Sequence, residues 1–456
     1  MPKLISKNPY TLEVNATYET ISEQELIEKI ELAHTAYLSW RDVPSLEKKR
    51  LFLTLADALE RDIDNCARLE TIEMGMLYKN AKAWLQKTAN LIRWFANNFE
   101  SVFTPRTYET EWLQVLEMYD PIGVIYGIAP WNFPFNQLLR AAVPNILAGN
   151  TQVYKHASNV PMVAERIERL FHEAGFPKWV YTNLFVPSSM SEAIIAHPYI
   201  RGVNLTGSET AWSAVGALAG KYLKRSVLEL GGNDAFVVLP GTDIEKVVTL
   251  AVAGRTRNGG QACNASKRFL VPDVMYEEFL EKYKNAFESL VLWDPMDEKT
   301  DLQPLVNEKS LDDMDAQVAR AIATGARLIK GGKRIEWSGY FYAPTILADV
   351  TPAVSSYNEE IFGPVASVMS YSTIDEAVTL ANGTDFGLSA VVVWDDISLA
   401  QEIGKKLDGG MIFINMTAGS RASLPFGGTK KSWYGKENWV DGLLAFTNKK
   451  VIVSES

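Results

Sequence analysis

The chain is 456 residues long, beyond the size at which one hydrophobic core stops growing, so two or more domains are expected. Hydrophobic residues make up 47% and charged residues 22%, the balance of an ordinary folded chain. Forty-five Lys plus Arg against 55 Asp plus Glu give a net charge of −10, which disfavours a broad nucleic-acid surface. The opening MPKLISKNPYTLEV lacks the apolar run of a secretory signal. PIGVIYGIAPW and AAVPNILAG are broken by Gly and Pro and are too short to span a bilayer. Two cysteines make no disulfide framework, and four histidines, at 34, 156, 172 and 197, form no metal motif, so no metal is expected. A cytoplasmic enzyme acting on a small molecule is the leading class, with neither membrane nor nucleic acid as partner.

From about 20 to 100, apolar residues recur at three- and four-residue spacing, which predicts consecutive helices. TYETEWLQVLEMYDPIGV alternates with a period nearer two and predicts a hairpin. Short elements then alternate: strand VIYGIAP, helix FNQLLRAAVPNILAG, strand TQVYKH and a helix through VPMVAERIERLFHEA stopped by Gly175. WVYTNLFV, SSMSEAIIAH, RGVNLTG and SETAWSAVGALAGKYL continue the succession, which implies a largely parallel sheet covered by helices. After LELGGNDAFVVL the alternation restarts, so two α/β units with a seam near 228–232 are expected.

One of the two cysteines, Cys66, lies in an amphipathic helical stretch and reads as a small buried core residue. Cys263 instead sits in NGGQACNASKR, between a predicted helix and the strand KRFLVP. Backbone amides of a glycine-rich bend converge on a small volume, and a nearby cation favours a nucleophilic thiolate. Lys267 and Arg268 are read as cations that raise the local potential, as solvated charges or as partners of sheet-edge carboxylates, and from the residues alone Cys263 is either a reactive thiol or a buried structural one.

With GQAC at 260–263, WNFPF at 131–135, LELGG at 228–232, EEIFGP at 359–364 and LPFGG at 424–428, the sequence resembles the aldehyde dehydrogenase superfamily over nearly its whole length. The resemblance implies an α/β fold of two Rossmann-like parallel-sheet domains plus a small β oligomerisation flap. The implied boundaries are 1–106 and 127–228 for NAD(P) binding, 229–424 for catalysis, and 107–126 with 436–456 for the flap. It assigns Cys263 as the nucleophile, Asn132 to an oxyanion hole and Glu229 as the base that hydrolyses a thioester. Read from the residues alone, Asn132 is equally a helix cap, and Glu229 a buried carboxylate that is either paired or raised in pKa.

The resemblance also implies cofactor contacts from Trp131, Lys155 and Ser158, from Gly207 and Ser208 at a helix N-terminus, and from Glu360 and Phe362. Serine at 158, where NAD-preferring members commonly carry glutamate, implies that NADP is accepted, with NAD also possible. HASNVP and the short N-terminus are most similar to short bacterial succinate-semialdehyde-oxidising members. A distal carboxylate on the substrate then calls for Arg421 and Ser423 near the mouth and for Arg140, whose other reading is a helix brace. The alternatives are a broad-range aldehyde dehydrogenase and a non-catalytic protein of the same fold. Trp212, Trp433, Trp439 and Ala235 depart from the family's pattern, and none is expected to touch the nucleophile, base or oxyanion donor. A homodimer or homotetramer is implied by the flap.

Overall fold

A computed structural model describes residues 2–455, so the outermost residues of the expected first domain and of the flap, 1 and 456, lie outside the described residues. An N-terminal hairpin, β1 (Lys3–Lys7) and β2 (Val14–Glu19), precedes the helical stretch. Four helices follow: α1 (Glu23–Trp40), α2 (Ser45–Arg61), α3 (Ile63–Met74) and α4 (Tyr78–Phe103). Ser22 and Glu25 form a reciprocal capping box at the start of α1, and Gly75, at φ 83°, ends α3. Cys66 lies fully buried in α3, as expected for a core thiol.

The predicted hairpin is β3 (Arg106–Thr110) and β4 (Leu113–Pro121), turned at Glu111 and Trp112, both with positive φ. The alternating region then builds β5 (Val124–Ile128), α5 (Pro134–Leu147), β6 (Thr151–Lys155), α6 (Pro161–Glu173), β7 (Tyr181–Asn183), α7 (Ser191–Ala196), β8 (Ile200–Thr206), α8 (Glu209–Lys221) and β9 (Arg225–Glu229). Strands β5 to β9 are parallel. Val124, Ile125 and Tyr126 are inaccessible on both faces, because helices cover the sheet on each side.

The chain leaves this sheet at Glu229 and enters a second one within five residues. That sheet begins with β10 (Asp234–Val238), α9 (Ile244–Thr256), β11 (Ser266–Pro272), α10 (Tyr276–Glu288), α11 (Glu308–Ala323), β12 (Arg327–Lys330), β13 (Thr345–Ala348) and β14 (Val365–Tyr371). It continues with α12 (Ile374–Asn382), β15 (Phe386–Gly387), β16 (Ser389–Val393), α13 (Ile397–Gly404) and β17 (Met411–Ile414). Its strand order is β12-β13-β14-β11-β10-β16-β17, parallel except for β12. β18 (Thr429–Lys430) pairs with β15. β19 (Trp433–Tyr434) then returns to the first sheet, where it lies antiparallel to β9 with Trp433 opposite Glu229. α14 (Trp439–Leu444) leads to β20 (Thr447–Glu455), which joins β4 and β3 in a three-stranded antiparallel sheet. Glu229 at the end of β9 and Cys263 just before β11 therefore meet where the two parallel sheets join.

Candidate active site

Beyond α9 the chain turns through Asn258, Gly259 and Gly260, all at positive φ, and delivers Cys263 at the mouth of β11. Cys263 is 9% exposed, and its Sγ lies 3.5 Å from Glu229 Oε1. Burial pushes the thiol well above its ordinary pKa and Glu229 adds to this, while Lys267 and Arg140 act weakly the other way. The resting group is thus a neutral thiol pointed at an acceptor, rather than a thiolate held by cations. Of the basic pair, Lys267 Nζ donates to the carbonyls of Ala262 (3.1 Å) and Cys263 (2.5 Å) and pairs with Glu360 at 3.0 Å. Arg268 donates to the carbonyls of Asn233, Leu380 and Ala381, a bracing role that leaves it off the thiol.

Glu229 is fully buried and both paired and perturbed. Arg140 salt-bridges it through Nη2 and reaches Glu437 through Nε at 2.7 Å; Thr206 Oγ1 donates to the same Glu229 oxygen at 3.3 Å. Burial raises the Glu229 carboxyl, Arg140 opposes that, and Glu437 reinforces it. Asn204 Nδ2 holds the other Glu437 oxygen at 3.1 Å. Arg140 is 2% exposed, so it is not a free cation at the mouth beside Arg421 and Ser423. One helical turn beyond Asn136 on α5, it is carried inward until two carboxylates neutralise it.

Asn132 Nδ2 donates to the Gln261 carbonyl at 3.0 Å, and its own carbonyl accepts from Asn258 Nδ2 at 2.7 Å. The cap of α5 is Phe133, without a side-chain bond, so Asn132 is not a helix cap. One of its two amide hydrogens is used by Gln261, which leaves the second for a ligand.

The residues expected around a dinucleotide lie along the C-terminal edge of the first sheet. Lys155 ends β6, 6% exposed; its ammonium has only the His156 carbonyl, at 3.4 Å, and burial lowers its pKa. A buried cation with no carboxylate partner among the described residues fits a ribose or phosphate ligand. Ser158 is exposed beyond it. Gly207 departs from expectation, because its amide donates to the Glu229 carbonyl at 3.0 Å and is not free for a pyrophosphate. Ser208 caps α8, its hydroxyl accepting from Ala211, so the open first-turn amides are those of Glu209 and Thr210. Glu360 lies against the glycine pair of LELGG and accepts from the Gly232 amide at 3.1 Å; a Cβ at Gly231 would stand 1.9 Å from its carboxylate. Trp131 and Phe362 pack edge to face at 5.8 Å. Trp212 is partly buried and packs against the core cluster of the first sheet. Trp433 corrects the expectation that it stays clear of the reacting groups, because it shares a buried cluster with Cys263 and Phe426, and its strand pairs with Glu229.

Arg421 and Ser423 do line one cavity, of about 210 Å³, with Lys87, Trp84, Trp94 and Asn136. Lys87 Nζ sits over the Trp84 ring at 4.2 Å, and its pKa is pushed down to about 8 by burial, then by Arg257 and Arg421. Arg257 also feels the Cys263 sulfur; its Nη1 donates to the Ala418 carbonyl and its Nη2 to the Asn264 carbonyl (3.2 Å) and side-chain oxygen, so only its Nε has no partner. Lys87, Arg257 and Arg421 form none of the ion pairs among the described residues. Sequence reading missed Lys87 and Arg257. Arg257, six residues before the thiol, was visible, but Lys87 is brought in only by the packing of α4 against α5.

Among the described residues no group of three His, Cys, Asp or Glu side chains is placed to hold a metal, and no helix is long and apolar enough to cross a membrane. Fold and site together define an α/β protein of two parallel-sheet units with a buried thiol set against a buried carboxylate where they join. The sequence matches the aldehyde dehydrogenase family over residues 2–452, and the chain belongs to that family, as an NAD(P)-dependent aldehyde dehydrogenase. It is 42% identical over 445 residues to a succinate-semialdehyde dehydrogenase (NADP+) of Deinococcus radiodurans, covering 98% of this chain and 93% of that one. A Mycobacterium bovis protein of the same description is 38% identical over 98% of each chain. The crystal structure of a succinic semialdehyde dehydrogenase from Streptococcus pyogenes in complex with NADP+ superposes with a TM-score of 0.96 at 36% identity, covering 98% of this chain and 99% of that one.

Proposed function

We propose that the protein oxidises an aldehyde bearing a distal carboxylate, succinate semialdehyde above all, to the dicarboxylate. The observation that carries this reading is the half-buried Lys87 ammonium, which has no carboxylate partner among the described residues and sits in the cavity that Arg421 and Ser423 also line, with Arg257 near enough to disfavour its charge. An unpaired, partly desolvated ammonium is costly, and an anionic ligand removes that cost. Ser423 adds a hydroxyl donor to the same wall.

In the mechanism, Glu229 accepts the Cys263 proton along their 3.5 Å contact, and the sulfur bonds to the aldehyde carbon. The free amide hydrogen of Asn132 and the backbone N–H of Cys263 stabilise the oxyanion, a donor pair whose loss typically costs about 3 kcal/mol per member. NADP or NAD, when bound, supplies the hydride acceptor that converts the thiol adduct to a thioester. Once Glu229 has released that first proton to solvent, it takes a proton from water, whose oxygen attacks the thioester carbon; the C–S bond then breaks, and the Cys263 sulfur recovers its proton from Glu229 and leaves as the thiol. A raised carboxyl pKa suits this base role. Trp131, Lys155, Ser158, Ser208, Glu360 and Phe362 hold the cofactor, with Glu209 and Thr210 supplying helix-terminal amides. Ser158 leaves room for a 2'-phosphate, and the relatives' NADP designation supports the same choice.

Residues 1–106 and 127–228 serve as the cofactor domain, 229–424 as the catalytic domain, and 107–126 with 436–456 as an oligomerisation flap. Val451, Ile452 and Val453 are half-exposed on the edge strand β20, a surface suited to a second copy in a homodimer or homotetramer. Both cysteines are free, and a reducing cytoplasmic setting keeps Cys263 a thiol. Steady-state kinetics on aldehydes with and without a distal carboxylate, each with NAD and NADP, test the proposal. If butyraldehyde matched succinate semialdehyde in kcat/KM, the broad-range reading would replace it.

A further inference from the structure

A buried carboxylate that the mechanism does not use lies beneath the turn carrying Asn132. Glu70, on α3, is 1% exposed; its Oε1 accepts from the Phe135 amide at 3.4 Å, and its Oε2 has no partner. Phe135 is the second residue of α5, and because Pro134 before it lacks an N–H, Phe135 carries the first orphan donor of that helix. A second buried group reaches the same turn. His156, 5% exposed, accepts from the Ala157 amide through Nδ1 at 3.0 Å. That bond puts the ring proton on Nε2, which donates to the Pro134 carbonyl at 3.1 Å. Burial pushes His156 down to about 4, so the neutral tautomer persists.

The turn is thus held at Asn132 by Asn258, at Pro134 by His156 and at Phe135 by Glu70, from three separate parts of the chain. Only the first of these contacts belongs to the loop that carries the nucleophile. A carboxyl with one unpartnered oxygen is an expensive way to fill a helix–helix contact, since an apolar side chain would fill it at lower cost. Its return is the fixed position of the Phe135 amide.

We propose that Glu70 and His156 are positioning residues that together fix the turn from which Asn132 addresses the oxyanion. This rests on the oxyanion role proposed for Asn132. A displacement of about 1 Å at such a donor costs up to roughly a hundredfold in rate.

The test uses conservative pairs in the full-length enzyme. Glu70→Asp shortens the side chain and withdraws the acceptor from Phe135, whereas Glu70→Gln keeps an oxygen in place. His156→Asn loses the donor to Pro134, whereas His156→Gln retains it. Rates are normalised to Cys263 titrated with a thiol reagent, so partial misfolding lowers the number of sites and not the rate. Glu70→Asp and His156→Asn are expected to lower kcat by roughly ten- to a hundredfold, with the KM values for aldehyde and cofactor within about twofold of wild type. The two glutamine substitutions are expected to stay within about threefold. In an Asn132→Ala background, Glu70→Asp should cost less than about twofold more, because both changes disable one donor. Wild-type kcat in Glu70→Asp and His156→Asn, or multiplicative losses with Asn132→Ala, overturns the proposal. So does a tenfold fall in either glutamine substitution, whether or not the shortened variants fold. If Asn132→Ala itself keeps the wild-type rate, the oxyanion reading fails; if it loses rate while both shortened variants keep theirs, only the clamp fails.

Discussion

Removing the ammonium at position 87 without its bulk, by Lys87→Met, is expected to separate carboxylate-bearing aldehydes from neutral ones. At an effective dielectric of about 20, a carboxylate about 4 Å from a cation gains about 4 kcal/mol before desolvation. Charge-assisted hydrogen bonds net about 1.5–3 kcal/mol, and the partial exposure of Lys87 puts it at the lower end. The expected loss is therefore roughly ten- to thirtyfold in kcat/KM for succinate semialdehyde and less than about twofold for butyraldehyde. The same charge can be removed by pH. Lys87 titrates near 8 because burial and the neighbouring Arg257 and Arg421 disfavour its ammonium. An anionic substrate prefers the protonated form, so its advantage is complete below that pKa and is lost as pH rises through it. kcat/KM reports groups of the free enzyme, and the ratio of the two aldehydes cancels the titrations of Cys263 and Glu229, which both substrates share. The assay is that ratio from pH 6.5 to 9.5 in wild type and Lys87→Met. The wild-type ratio should fall across about pH 8, while that of Lys87→Met should be low and flat. A wild-type ratio independent of pH, or a Lys87→Met enzyme whose preference for the carboxylate is undiminished, refutes the reasoning.

Cys263→Ala should abolish turnover while leaving the melting temperature and cofactor binding near wild type, because a methyl fills most of the small buried site; residual turnover above a thousandth would remove the covalent step. Glu229→Gln should slow thioester hydrolysis far more than the first burst of reduced cofactor, as rapid-mixing absorbance reports. The same change leaves Arg140 with Glu437 alone, so the melting temperature should also drop. In wild type the acid limb of kcat should lie above the ordinary carboxylate range, since the base works ionised and burial raises its pKa. Ser158→Glu should raise KM for NADP by roughly tenfold and spare NAD, through like charge at an exposed site; equal effects on both cofactors would count against a 2'-phosphate beside Ser158.

The groups proposed to react could be singled out in sequence because each lies in a short contiguous motif whose backbone is locally determined. GQAC completes a turn with three consecutive positive φ values, LELGG needs Gly231 for the approach of Glu360 and Gly232 for that of the Cys263 carbonyl, and WNFPF opens a helix with proline at its first position. Strand and helix alternation gave both sheets for the same reason, although the N-terminal hairpin β1–β2 was not foreseen, since only Leu4 and Ser6 of its first strand face the core. Partnerships were not legible. Arg140 reads as a mouth cation until tertiary packing sets Glu229 and Glu437 against it, two residues that lie 89 and 297 positions away. Lys87 reads as one more charge on the outer face of α4 until α5 and the 420–423 loop close over it. Gly207 looks like a phosphate-facing amide until the Glu229 carbonyl claims it. In each case the side chain's chemistry is fixed by residue type, but its net charge and availability are fixed by what the fold brings within about 4 Å, where the interaction outweighs screening. The arginines near this site therefore differ in kind: Arg140 is neutralised by Glu229 and Glu437, Arg257 is braced by the Ala418 and Asn264 oxygens, and Arg421 stays exposed at the cavity beside Lys87, so the fold, rather than the residue type, decides which guanidinium is left to meet an anion.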